Sequence, residues 1–186
     1  MGRILTASIF AAIVLFTWSA VSWMVLTWHN TTLHAFKDEA SVAKVMQDNT
    51  NQSGIYMLPY MATDSTPSQK NSSNELLKAG PVVFTAVYLG GVTNMQPYMI
   101  KGFIIQLLAA FFVGWLLSKT ARLSYFGRVG FVLVFAIAAS LACHLPYWNW
   151  WHFETMYTLI TIGDMLVGWF LAGLVMAALI PGKRTS

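Results

Sequence analysis

Residues 157–180 read YTLITIGDMLVGWFLAGLVMAALI, and the only charge among them is Asp164. Wound as an α-helix at 1.5 Å per residue, the run extends about 36 Å, more than the ~30 Å hydrocarbon core of a bilayer. A helix apolar on every side is either the core of a large protein or a membrane span. Composition decides between these. Hydrophobic residues make up 56% of the 186-residue chain and charged residues 10%, against about 25% charged in ordinary soluble domains. Such a chain lacks the polar surface that keeps a protein dispersed in water, so the balance points to a membrane.

Three further stretches, 4–28, 99–118 and 129–145, have the same character, the last being the shortest. The first follows Arg3 as a signal peptide would. Its apolar run is too long for a typical signal sequence, and no small-x-small cleavage site follows, so it reads as a retained anchor. Orientation follows from Lys and Arg near the span ends. Arg3, then Lys119, Arg122 and Arg128, then Lys183 and Arg184 mark one side, while residues 146–156 carry neither Lys nor Arg. Both termini are therefore expected in the cytoplasm, with residues 29–98 and 146–156 outside. Lys101 is the single dissenter.

The outer segment is expected to form a small cap. From Thr32 to Asp48 the apolar Leu33, Phe36, Ala40, Ala43 and Met46 recur at spacings of three and four, which predicts an amphipathic helix N-capped by Thr31 or Thr32. Residues 55–61 and 81–89 read as two strands forming a hairpin, the first weakened by Pro59. The polar stretch 63–75 between them reads as a mobile loop. The expected fold class is thus an all-α membrane protein: a four-helix transmembrane bundle, with an extracytoplasmic α+β cap inserted between helices 1 and 2.

Small residues at four-residue spacing mark the faces along which spans pack: Gly102, Gln106, Ala110 and Gly114; Ala136, Ser140 and His144; Asp164, Gly168 and Ala172. Ser19 and Ser22 serve the first span. Depth along the helices places Ser22, Gln106, Ser140 and Asp164 roughly 5–12 Å inside the outer boundary, as one polar layer. An ionised carboxylate there costs several kcal/mol unless paired, hydrated or protonated, and Lys101, more than a turn above Gln106, is the expected ion-pair partner of Asp164. As structure alone, the layer is polar glue between helices. As function, it is a ligand or ion site.

All four histidines fall on the expected outer side. His29, His144 and His152, with Glu154, are candidate ligands for a metal ion, and two histidines on different spans suit a haem. No HExxH or paired His on one helix face supports either, and His34 with Asp38 reads as a surface pair. Tyr147, Trp148, Trp150 and Trp151, like Trp23, Trp28 and Tyr98, form an interfacial belt. Cys143 stands alone, which excludes an internal disulfide and a CxxC redox pair. The ten methionines are scattered and read as core filling. The net charge of +4 reflects few acids rather than a basic run, so no nucleic-acid partner is expected. Phosphate loops, GxSxG and converging carboxylates are missing. An intramembrane metal or acid site needs no linear signature, so enzymatic activity stays open.

The closing stretch, 157–180, resembles the last helix of a family of uncharacterised four-helix bacterial membrane proteins, in which an acid or amide precedes a run of Gly, Leu and Val. The first span, with its spaced tryptophans before a polar turn, is similar in style. The resemblance implies the four-helix topology, a bacterial inner membrane and Asp164 as a typical feature, and it carries over no site residues. Three functional readings follow: a non-enzymatic accessory, assembly or scaffold subunit of a larger membrane complex; a metal- or haem-binding redox protein using His29, His144, His152 and Glu154; and a small carrier or proton-coupled channel centred on Asp164 and Gln106.

Overall fold

The computed structural model describes residues 1–120, 122–180 and 182, so the basic pair Lys183 and Arg184 lies outside the described residues. The chain divides into two compact units, Met1–His34 with Asn94–Ser186, and Ala35–Thr93.

The first unit holds four long helices: α1 Gly2–Met24, α4 Gln96–Leu117, α5 Tyr125–Trp151 and α6 Thr155–Leu179. All four are long and apolar enough to cross a membrane. Only 22–28% of each most apolar stretch is buried inside the protein. Ile9, Phe10, Ile13, Ile105, Phe112, Val134, Leu159 and Phe170 point outward, and an apolar belt of that extent is foreign to a water-facing surface.

Inside, small residues do the packing. Ala7, Ala11 and Ala12 of α1, Ala110 and Val113 of α4, Val132 and Ala136 of α5, and Ala172 and Met176 of α6 are fully or nearly fully buried. Close approach depends on glycine, at Gly168 and Gly173 of α6 as at Gly114 of α4. A Cβ on Gly168 would stand 3.0 Å from Trp18 Cδ1 and 3.4 Å from Leu15 Cδ2, and one on Gly173 would stand 3.3 Å from Val132. These two residues set α6 against α1 and α5 respectively. Neighbours run α4, α1, α6, α5, and α4 scarcely touches α5.

The third span differs from its expected extent of 129–145. α5 begins at Tyr125 behind an N-cap in which Ser124 Oγ accepts the Gly127 N–H at 3.2 Å. It then continues through Pro146 to Trp151. Residues expected in an outer loop from 146 are therefore helical as far as 151. Proline removes one donor from the ladder, but a helix among apolar neighbours gains by keeping its remaining backbone groups bonded to one another. His152 ends α5 in the left-handed region at φ 57°, a conformation that His tolerates better than most residues, and the His152 and Phe153 N–H groups both return to Tyr147 O.

Arg128, read from sequence as an end marker, is 2% exposed. Its Nη1 donates to the carbonyls of Ala177 and Ile180, which have no helical partner at the end of α6.

The second unit contains α2 Glu39–Asn49, β1 Gly54–Leu58, α3 Pro67–Ala79 and β2 Val83–Val87. The expected helix from Thr32 starts later, because Asp38 is the better cap: its Oδ1 accepts the Ser41 N–H at 3.0 Å. Thr31 and Thr32 instead bond back to the carbonyls of Trp28 and His29. The two strands pair antiparallel with Tyr56 opposite Thr85. A helix joins them where the sequence suggested a loop. α3 is fixed by a capping box in which Thr66 Oγ1 accepts the Gln69 N–H and Gln69 Oε1 accepts the Thr66 N–H, with Pro67 at its first turn.

Candidate functional site

The functional side chains of the first unit converge where α6 passes the end of α1. Past Met24 the chain turns back: Leu26 N–H bonds to Val21 O, and a 3-10 turn follows over His29–Thr32. That reversal brings His29 against its own helix. The ring is 1% exposed. It stacks on Trp23 at 3.8 Å between centroids and meets the edge of Trp28. Its Nε2 lies 3.0 Å from Ser22 Oγ and 3.5 Å from Asp164 Oδ2. A carboxylate only accepts, so the Asp164 contact is attractive when Nε2 carries the proton. Ser22 Oγ also accepts from Trp28 Nε1 at 3.0 Å.

Serine, histidine and aspartate in contact suggest a hydrolase triad, but the wiring is wrong. In a triad the serine meets one ring nitrogen and the carboxylate orients the other. Here both approach Nε2, and His29 Nδ1 has no partner. Ser22, 0% exposed, offers no path for a substrate. The cluster positions Asp164; it does not activate a nucleophile.

Beside Asp164 lies a cavity of about 170 Å³ walled by all four helices. α1 supplies Leu15, Trp18 and Ser19; α4 supplies Gln106; α5 supplies His144; α6 supplies Thr161, Asp164, Met165, Gly168 and Trp169. Trp18 Nε1 donates to the Asp164 carbonyl at 3.0 Å, and its ring lies against Gly168. The Asp164 side chain keeps 15% of its surface accessible, and its Oδ1 has no hydrogen-bond partner. A second cavity of about 160 Å³ shares His144 and Thr161 and adds Tyr147, Phe153, Tyr157 and Thr158. Both lie well below the ~300–1,000 Å³ of drug-sized sites, so they suit a small solute rather than a porphyrin.

Of the expected polar layer, Ser22 and Asp164 meet through His29, and Gln106 and Asp164 share one cavity. Ser140 is fully buried with no partner for its hydroxyl. The expected Lys101–Asp164 ion pair is not made: Asp164 takes His29, and Lys101 Nζ lies over the Tyr98 ring at 5.9 Å. Five residues separate Lys101 from Gln106, about 140° around a helix, so the two face different ways. Asp38, expected to pair with His34, caps α2.

His29, His144, His152 and Glu154 are not gathered. Among the described residues no three His, Cys, Asp or Glu side chains come together as a metal site. His29 belongs to the Asp164 cluster, His144 lines the cavities, His152 turns the chain, and Glu154 precedes α6, where its carbonyl accepts from Thr158. Sequence reasoning missed Trp18 and Thr161. Trp18 did carry a signal, standing four residues before Ser22 on the same face.

No protein-family model matches the chain, and comparison with curated proteins and with solved structures finds no match.

Proposed function

We propose that this chain is a multi-pass protein of the bacterial inner membrane that carries a small solute through a site beside Asp164. The four apolar helices and the Lys/Arg distribution support a bundle with cytoplasmic termini and with residues 29–98 and the α5–α6 connection outside. The observation that carries the reading is the cavity shared by Asp164, Gln106 and His144. A purely structural bundle gains by filling such a space, since lost contacts and unpartnered buried polar groups each cost stability. An intramembrane carboxylate at a cavity wall is the usual mark of a solute or ion path.

The test is solute-induced stabilisation of the purified protein in nanodiscs, across alkali cations, ammonium, methylated ammonium ions and small neutral alcohols. At least one solute should raise the unfolding midpoint, as binding to the folded state requires, and Asp164→Asn should abolish the rise while keeping the helical signal. A solute that binds should also cross proteoliposomes only with wild-type protein present. If no solute shifts the wild type, or Asp164→Asn responds as the wild type does, the reading fails.

A second reading, an accessory or scaffold subunit, rests on a different observation: within residues 35–93 only Pro59 is buried. Crosslinking in native membranes tests it, with a reproducible partner attached through α2 or α3 as the expected result.

A further inference from the structure

We infer that the Asp164 cavity selects a small alkylammonium cation over a bare metal ion or a neutral solute; the inference rests on the solute-site reading above. Three features carry it.

The first is the wall. The indoles of Trp18 and Trp169 and the side chain of Met165 share the cavity with one carboxylate, Asp164, one carboxamide, Gln106, the hydroxyls of Ser19 and Thr161 and the imidazole of His144. A hard metal ion such as Ca²⁺ wants six or more oxygen ligands, carboxylates above all, and the side chains of these walls offer one carboxylate, one carboxamide and two hydroxyls. An alkylammonium ion asks for the reverse: apolar and aromatic contact for its methyl groups and one acceptor or counter-charge for its nitrogen.

The second is how Trp18 is held. Its only polar atom is engaged by the Asp164 carbonyl at 3.0 Å, so the rest of the indole is left as an apolar, electron-rich surface next to that carboxylate. Gly168 permits this seat, because a Cβ there would collide with Trp18 Cδ1 at 3.0 Å.

The third is charge. His29 engages Oδ2, Oδ1 is buried without a partner, and Lys101 of α4 is turned to Tyr98. The Asp164 side chain lines the cavity and keeps 15% of its surface accessible, so its negative charge is available to a cation there. The volume, about 170 Å³, is close to that of an engineered cavity of ~150 Å³ that admits benzene, which is room for an ammonium carrying a few methyl groups.

The experiment is calorimetric titration of the full-length protein in nanodiscs with trimethylammonium, potassium and the neutral, similarly shaped tert-butanol. Trimethylammonium should bind at least about tenfold more tightly than either of the other two. Trp18→Leu should weaken it roughly tenfold, whereas Trp18→Phe, which keeps a ring, should stay within about threefold of the wild type. Asp164→Asn should remove binding. Potassium or tert-butanol binding as tightly as trimethylammonium, in an Asp164-dependent way, overturns the selectivity and leaves the solute site standing. Equal effects of Trp18→Leu and Trp18→Phe overturn the aromatic contact. Absence of Asp164-dependent binding by any of the three probes, together with none in the wider solute series, overturns both readings. The comparison among probes uses wild-type protein and holds even if a Trp18 variant does not fold.

Discussion

The helical bundle and the 35–93 unit solve the problem of order in opposite ways. In the bundle, alanines, glycines and valines bring backbones together, and every long helix contributes fully buried residues. In the smaller unit neither helix buries a single residue. Its order is drawn from local devices: the Asp38 cap, the Thr66–Gln69 box, the exposed Lys44–Asp48 and Lys78–Glu75 pairs, and two short paired strands. Each cap contributes about 0.5–2 kcal/mol and each exposed ion pair about 0–1 kcal/mol, while fixing a residue's backbone costs about 1–2 kcal/mol. Val45, Ile55, Leu58, Leu76, Val82 and Tyr88 remain exposed in this unit. Long-range packing holds one region, and capping chemistry holds the other.

Hydrogen exchange on the whole protein puts the largest strain on this contrast. Amides of α2 and α3 should exchange at least about 10³-fold faster than those in the middle of α1 and α6, as sub-global opening requires. Equal protection would show that the small unit has a packing partner of its own.

Next in size is Gly168→Ala, which forces Trp18 or Leu15 to move and should lower bundle stability by about 1–3 kcal/mol. Gly163→Ala on the same helix meets nothing within 4 Å and should be neutral or stabilising by up to about 1 kcal/mol. Thermal unfolding of the two variants compares them directly, and equal losses would mean that close helix approach is not what Gly168 provides.

Thr66→Ala should cost about 1 kcal/mol, read as roughly fivefold faster exchange in α3 with the bundle unchanged.

The smallest effect depends on pH. The Ser41 hydroxyl, and then its backbone N–H, hold the Asp38 carboxyl below its ordinary range. The folded value being the lower one, this cap contributes fully above the ordinary aspartate range and is lost as pH falls through the folded value. Exchange in α2 should accelerate over that acid window, and Asp38→Asn should remove the acceleration.

Much of the bundle was legible because lipid and helix packing impose simple periods. The four-residue spacing of Ala110 with Gly114, Ala136 with Ser140, and Gly168 with Ala172 falls on buried faces. α3 was overlooked because its polar surface imitates a loop, although Thr-Pro-x-Gln at 66–69 is a readable helix start. The His29–Asp164 contact was not legible. It needs the chain to reverse over residues 25–28, where no glycine or proline announces a turn, and it joins residues far apart in sequence. The cavity was half legible: Asp164 and Gln106 stood out as polar residues in apolar runs, while Trp18 was hidden among tryptophans that suit an interfacial belt.

The thin seam between α4 and α5 has a consequence for biosynthesis. Helices emerge from the ribosome in chain order, so α4 meets α1, its packing neighbour, as soon as it is made. α5 does not share that fortune: its neighbour is α6, which is synthesised last. Until then its buried face, with the guanidinium of Arg128, has neither α6 nor the carbonyls of Ala177 and Ile180. A chain stalled before α6 therefore leaves a cation-bearing helix without its packing partner and without the carbonyls that receive its guanidinium.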